Sequence, residues 1–362
     1  MTDTPAESRP APLRVLAWPA FKNRRRNPYN ALLYEHLAAL GVEVAEYSAG
    51  RLLTGRFDVW HLHWPDSHLR ERRRPLARLR LHALLRLMDV ARLRGTRVVW
   101  TVHNLRSHEA RHPALERWFW PEFTRRLDAF VSLSETGRGA ARLAFPALAD
   151  KPGFVVPHGH YREVYPNAVA REEARRRLGI DSGARVVAFI GLIRPYKNVP
   201  ALVRAFREMD GSDLVLLVAG KPSDEEAARV PDAAGDDARV RCRLEFVPDD
   251  EVQLHLNAAD LVALPYREVL NSGSALLALS FDRPVLVPDR GAMAELRQLV
   301  GGAWVRTYEG ELSAGELAAA LAWARTPRPT ARAPLDALDW PVLAARLKAA
   351  LEAVAPRQAG AG

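Results

Sequence analysis

Strand-length apolar runs alternate with helix-length amphipathic segments along this chain, and the alternation begins twice. The first round opens at residues 13–18 (LRVLAW), crosses a loop at 19–28, and continues as an amphipathic helix over 29–40. Gly41 closes that helix, and a second strand starts at 42–44. A strand, helix and strand in that order form a βαβ unit, which implies a parallel sheet. Further strands are expected at 58–64 (DVWHLHW), 97–104 (RVVWTVHN), 129–134 (AFVSLS) and 154–160 (FVVPHGH). A charged helix at 171–178 precedes the second round, with strands at 185–191 (RVVAFIG), 214–219 (LVLLVA), 260–265 (DLVALP) and 285–287 (VLV). Helices at 199–209 and 251–259 lie between them, the second capped by Asp249 or Asp250. A chain of 362 residues exceeds one ordinary core. The expected fold is therefore α/β, with two doubly wound parallel-sheet domains at 13–165 and 166–335. Residues 1–12 are expected to be a disordered tail, and 336–362 a C-terminal helix and tail that pack back on the first domain.

Ligands of open α/β sheets bind beyond the carboxyl ends of the strands, so the loops there hold the candidate site. The first of these loops lacks the G-x-G-x-x-G spacing of a dinucleotide fingerprint, which argues against a nicotinamide enzyme. It is cationic instead, with Lys22, Arg24, Arg25 and Arg26 before Asn27. The strand at 58–64 delivers His63, Trp64 and Asp66 to the same edge, and the next delivers His103, well placed for a general base. In the second round Gly191 leads to Arg194 and Lys197, and Gly220 leads to Lys221. Three cations at strand ends of one small sheet suit a phosphate. The stretch 266–288 (YREVLNSGSALLALSFDRPVLVP) is a polar turn with Asn271, Ser272, Gly273 and Ser274, then a helix and a strand. Free N–H groups at such a helix start welcome an anion, although an ordinary N-cap explains the same residues.

Charge is unevenly spread. Residues 1–165 carry 27 Lys and Arg against 16 Asp and Glu, whereas the remainder carries 25 against 27. The basic surplus assigns the acidic partner to the first half. Much of it lies in the helix expected at 74–94. On a helical wheel Leu76, Leu79, Ala83, Leu87 and Val90 share one face, and Arg74, Arg78, His82 and Arg92 the other; Leu81, Leu85 and Met88 fall outside the main stripe. Such a helix is either packed with a solvated Arg face or laid on an anionic membrane surface. Nucleic acid is not expected, because the basic stretch has little aromatic interleaving for stacking. The single Cys242 excludes a disulfide framework and Cys-based metal clusters. His61 with His63, and His158 with His160, are i,i+2 pairs without a carboxylate trio, so no metal is expected. No run has the length of a membrane span, and the polar, Pro-rich N-terminus argues against secretion. A cytoplasmic setting is expected, with the basic helix available to the inner face of the membrane.

Four stretches carry a resemblance: FIGLIRPYKNVPALVRAF (189–206), LVLLVAGKP (214–222), FVPDDEVQLHLNAADLVALPY (246–266) and the opening stretch 266–288. Their order is similar to that of the family 4-like glycosyltransferases of the GT-B fold, and the likeness covers 13–354. The turn NSGSALLALSFDRPVLVP looks like the β-mannosyltransferase type that builds bacterial exopolysaccharide repeat units on lipid carriers. The resemblance implies two Rossmann-like domains facing a cleft and transfer of a hexose, with mannose from GDP-mannose the best match, to a saccharide or lipid-linked acceptor hydroxyl. It implies a nucleoside diphosphate sugar as co-substrate, no cofactor and no required metal. Donor contacts are expected from Gly191, Arg194, Lys197, Lys221, Phe246, Val247, Glu268, Asn271, Ser272, Gly273 and Ser274. Acceptor contacts are expected from Asn27, Tyr29, His63, Trp64 and His158. His103 matches the histidine near the donor sugar in such enzymes and serves as base or sugar contact, with Asp66 and Glu109 in reserve. The sequence departs from the family where Leu277 replaces the second of two paired glutamates and Leu192 replaces an arginine, which puts retaining stereochemistry in doubt. An epimerase or phosphorylase of the same fold, or a non-catalytic basic binding module, is the competing reading.

Overall fold

A computed structural model describes residues 11–25, 27–106 and 111–356. The chain divides into two units: Met1–Leu133, Arg138–Pro157 and Trp340–Gly362 form the first, Ser134–Gly137 and His158–Asp339 the second.

The first unit holds β1 (Arg14–Trp18), β2 (Glu43–Glu46), β3 (Val59–Leu62), β4 (Arg97–Val102), β5 (Ala129–Ser132) and β6 (Gly153–Val155). All pairings are parallel, in the order β2-β1-β3-β4-β5-β6. Strands β3 and β5 are buried at every residue, as central parallel strands covered on both faces must be. The strand order reverses between β1 and β3, so a crevice is expected beyond the ends of those two strands. There the His63 N–H donates to the Trp18 carbonyl at 3.0 Å.

Helix Tyr29–Ala39 turns Tyr29, Leu33, Tyr34 and Leu37 into this core, and helix Trp340–Val354 packs against it. Leu343, Leu347 and Leu351 are fully buried in the same cluster. Each such leucine contributes about 1.5–3 kcal/mol relative to exposure, enough to hold a helix so distant in sequence. Helix Arg74–Leu93 forms, but its inward face corrects the wheel. Ala77, Leu81, Leu84, Leu85, Met88 and Ala91 are buried, while Leu79 is 65% exposed. The sequence carries two overlapping apolar stripes, and packing against the sheet selects the one that the wheel set aside. Helices Ala49–Thr54 and Pro113–Arg125 and most of helix Glu135–Ala144 also belong to this unit, and none of the three is among the helices expected from the sequence.

The second unit holds β7 (Arg185–Ile190), β8 (Leu214–Ala219), β9 (Val240–Arg243), β10 (Leu261–Ala263), β11 (Val285–Pro288) and β12 (Val305–Tyr308). They pair in parallel in the order β12-β11-β10-β7-β8-β9. Strands β9 and β12 went unseen in the sequence because edge strands keep polar residues (VRCR, VRTY) and lose the continuous apolar run. The order reverses between β7 and β10, so a crevice is expected there after Ile190 and Ala263. Helix Val252–Ala258 begins after Glu251 with no side-chain cap, so neither Asp249 nor Asp250 caps it as expected. Among the described residues no helix is long and apolar enough to cross a membrane.

Candidate active site

In the second unit the switch-point loops converge on one small space. Gly191 follows β7 with φ 129° and Gly220 follows β8 with φ 149°. A Cβ on Gly220 would sit 1.9 Å from the Gly191 carbonyl oxygen, so the two strand ends meet backbone to backbone. A Cβ on Gly191 would lie 3.0 Å from Ser274 Oγ and 3.5 Å from Lys197 Nζ. The missing side chain thus leaves open the place where a hydroxyl and an ammonium come together.

Lys197 stands on the short turn Pro195–Lys197 and is 9% exposed. Its ammonium lies 5.6 Å from the Tyr266 ring centre and 5.9 Å from that of Phe189. Burial pushes its pKa below the ordinary lysine value. Among the described residues no carboxylate pairs with it. Aromatic faces return only part of the hydration that a buried cation gives up. A buried ammonium so placed is suited to an anion.

The turn before helix Gly273–Ser280 provides the second half of this arrangement. Ser272 caps the helix, its Oγ accepting from Ala275 N–H at 3.1 Å, and it lies 3.5 Å from the Tyr266 hydroxyl. The capping expectation therefore holds for Ser272 without using up the other N–H groups of the first turn. Asn271 adds an Nδ2 that is buried without a hydrogen bond. A Cβ on Gly273 would approach the Tyr161 hydroxyl to 3.2 Å and His158 Nε2 to 3.6 Å. His158, assigned from sequence to the acceptor, is thus placed against the Gly273 turn. Its Nδ1 bonds the Gly159 carbonyl at 2.8 Å, its Nε2 faces the Tyr161 hydroxyl at 3.3 Å, and burial lowers its pKa to about 4.

The other expected donor residues are spread more widely. Arg194 turns its guanidinium back to the carbonyls of Ile193 (2.9 Å) and Lys221 (3.3 Å). The Lys221 side chain is exposed, so the expected three-cation cluster is tight only at Lys197. Phe246 is 58% exposed beside buried Val247, and Glu268 is exposed. Leu192 is on the surface, and Leu277 is half-buried on the helix.

In the first unit β3 and β4 bring together a histidine cluster. His61 Nε2 lies 2.7 Å from Thr101 Oγ1, and His61 Nδ1 lies 2.8 Å from the Tyr34 hydroxyl. The same hydroxyl lies 2.6 Å from His63 Nε2, and His63 Nδ1 lies 2.9 Å from His103 Nε2. Trp64 stacks on His103 with ring centres 4.3 Å apart, and Tyr29 meets it edge-on at 5.4 Å. His63 is buried, as are Tyr29 and Asp66, whereas Trp64 and His103 remain half-exposed. Asn27 Oδ1 accepts from Tyr29 N–H at 3.1 Å. Glu109 and Arg26 lie outside the described residues. Tyr34, Thr101, Tyr161 and Tyr266 were not singled out in the sequence, since buried aromatic and threonine positions there read as core. Among the described residues no group of three or more His, Cys, Asp or Glu side chains is arranged to hold a metal ion.

Two parallel α/β units, the second with an anion-suited turn at its switch point, follow the GT-B plan of nucleotide-sugar glycosyltransferases. Solved structures share that fold. A sucrose-phosphate synthase from Thermosynechococcus elongatus matches with TM-score 0.62 and 14% identity, covering 96% of each chain. WaaG, a glycosyltransferase involved in lipopolysaccharide biosynthesis, matches with TM-score 0.59 and 16% identity over 93% of this chain and 98% of its own. The family model described as "Glycosyl transferases group 1" matches residues 184–324. The GDP-mannose:glycolipid 4-beta-D-mannosyltransferase of Xanthomonas campestris pv. campestris is 36% identical over 326 residues, 88% of this chain and 86% of its own. This chain belongs to the group 1 glycosyltransferases and is a sugar-transferring enzyme.

Proposed function

We propose that this enzyme transfers mannose from GDP-mannose to a hydroxyl of a glycolipid or lipid-linked saccharide, in the manner of bacterial exopolysaccharide assembly, and that it needs no metal ion. The observation that carries the donor assignment is Lys197, a buried ammonium without a carboxylate, facing the space that Gly191 leaves open beside Ser274. When the diphosphate leaves, negative charge grows on its oxygens. Lys197 and the N–H groups at the start of helix Gly273–Ser280 are the groups that absorb it. Such preorganised donors act in a partly dehydrated site, where they are worth more than in water. The mannose and glycolipid assignments rest on the Xanthomonas relative, which this chain matches over most of both lengths.

The acceptor side is assigned to the first unit, with His103, Trp64 and the cationic loop after β1. The basic helix Arg74–Leu93 supports a peripheral position on the inner face of the membrane. It exposes Leu79 and Leu93 (88% exposed) among the exposed Arg74, Arg78, Arg86 and Arg92. Each basic residue contributes about 1 kcal/mol near an anionic surface. A lipid-linked acceptor would then be met where it resides.

A thermal-shift series with GDP, UDP, ADP and their sugar conjugates, each with Mg²⁺ or with EDTA, tests the donor. Ligand at a hundred times its Kd stabilises by about 2.7 kcal/mol. The expected result is a shift with GDP and GDP-mannose that EDTA leaves intact. Absence of any nucleotide shift would overturn the donor site, and a shift only with Mg²⁺ would overturn metal independence.

A further inference from the structure

The histidine cluster of the first unit is one continuous hydrogen-bonded series, and counting its hydrogens decides more than its distances do. The Tyr34 hydroxyl lies within bonding distance of His61 Nδ1 and His63 Nε2 but carries one hydrogen. It therefore donates to one ring and accepts from the other. A neutral imidazole likewise carries one N–H, so the sense of any one bond sets the sense of all. Burial keeps these groups uncharged. It lowers His61 to about 3 and His63 well below the usual histidine range, and it raises Tyr34.

The far end of the series sets the direction. Thr101 is 1% exposed, and His61 Nε2 is the partner of its hydroxyl among the described residues. Were His61 the donor, the Thr101 hydrogen would be buried without an acceptor, which folded proteins avoid. Thr101 O–H therefore donates to His61 Nε2, and His61 Nδ1–H donates to the Tyr34 oxygen. Tyr34 O–H then donates to His63 Nε2, and His63 Nδ1–H donates to His103 Nε2. A neutral His103 that accepts at Nε2 carries its hydrogen on Nδ1. Trp64 and Tyr29 pack on the ring and hold its orientation.

We propose that Tyr34, His61 and His63 are positioning residues that, with Thr101, hold His103 as the Nδ1–H tautomer, so that it meets substrate as a hydrogen-bond donor. This rests on the reading above that His103 reaches the substrate. A base role would require His103 Nε2 to donate once the ring is charged. That reverses every bond in the series and strands the Thr101 hydrogen. Deprotonation of the acceptor then falls to a carboxylate, for which Asp66 is the described candidate.

The first test is spectroscopic and needs no substrate. The full chain is labelled with ring-¹⁵N histidine, and long-range ¹H–¹⁵N correlations read each tautomer, with His103 signals identified by their loss in His103→Asn. The expected pattern is a protonated Nδ1 and a bare Nε2 at His103, shifting to mixed tautomers in Tyr34→Phe. An Nε2–H tautomer in the parent protein, or no change in Tyr34→Phe, would overturn the relay. Thr101→Val breaks the series at its end and gives the same readout if Tyr34→Phe fails to fold.

The second test follows GDP released from GDP-mannose with water as acceptor. Asparagine places an amide N–H near the Nδ1 position and glutamine near Nε2. His103→Asn is expected to keep at least ten-fold more kcat than His103→Gln, and equal loss would overturn the donor role. Full activity in both would remove His103 from the substrate and with it the functional reading, while the tautomer measurement still decides the relay.

Discussion

Replacing Lys197 by methionine removes an ammonium while keeping most of the side chain's length and apolar packing. The lysine is 9% exposed, lies over the rings of Tyr266 and Phe189, and has no carboxylate partner among the described residues. Two effects of opposite sign follow. A charge-assisted hydrogen bond to a phosphate oxygen is worth about 1.5–3 kcal/mol, so GDP affinity should fall by roughly 10- to 150-fold. The ligand-free protein should lose nothing in stability, and it should gain where dehydration of the ammonium outweighs its aromatic contacts. The pH dependence separates these effects. Burial lowers the folded-state pKa below the unfolded lysine value, so in that window the unfolded chain binds more protons. Stability of the parent protein should therefore rise with pH as it passes from the lowered pKa toward the ordinary lysine value. In Lys197→Met that rise should vanish. Calorimetric titration with GDP, together with melts of the ligand-free protein across alkaline pH, measures both. Unchanged GDP affinity in a folded variant would refute the phosphate role. A large drop in ligand-free stability would show that the lysine is held for structure.

Gly220→Ala should abolish folding or donor binding, because its Cβ would lie 1.9 Å from a backbone oxygen that no rotamer change can move; normal melting and GDP binding would contradict the backbone contact. Ser272→Ala should cost about 0.5–2 kcal/mol through loss of the N-cap, read as a lower melting temperature. If its melting temperature is unchanged, the Ala275 N–H has another partner. Leu79→Glu with Arg78→Glu should reduce sedimentation with anionic vesicles and leave GDP binding intact, since both residues are exposed on helix Arg74–Leu93. Equal sedimentation of variant and parent would remove this helix from membrane contact.

Local pattern carried much of this enzyme. Continuous apolar runs such as RVVAFI and LVLLVA are long enough to mark central parallel strands before any partner is known. The Asn271–Ser274 turn could likewise be recognised, because a cap followed by an apolar helix is a matter of a few adjacent residues. Tertiary structure decided what depends on partners far along the chain. Edge strands β9 and β12 keep polar residues, so only pairing with β8 and β11 reveals them. Helix Arg74–Leu93 offers two apolar stripes, and the surface it packs on chose Leu81, Leu85 and Met88. His61 and His63 read as an unconvincing metal pair in sequence. Their meaning came from Tyr34, 27 and 29 residues away, and from Thr101 and His103, each 40 residues away. Parallel register between β3 and β4 brings those side chains within hydrogen-bond distance, and no local rule encodes a register. A side chain's type is written in the sequence, but its protonation and its direction of donation depend on what the fold packs against it.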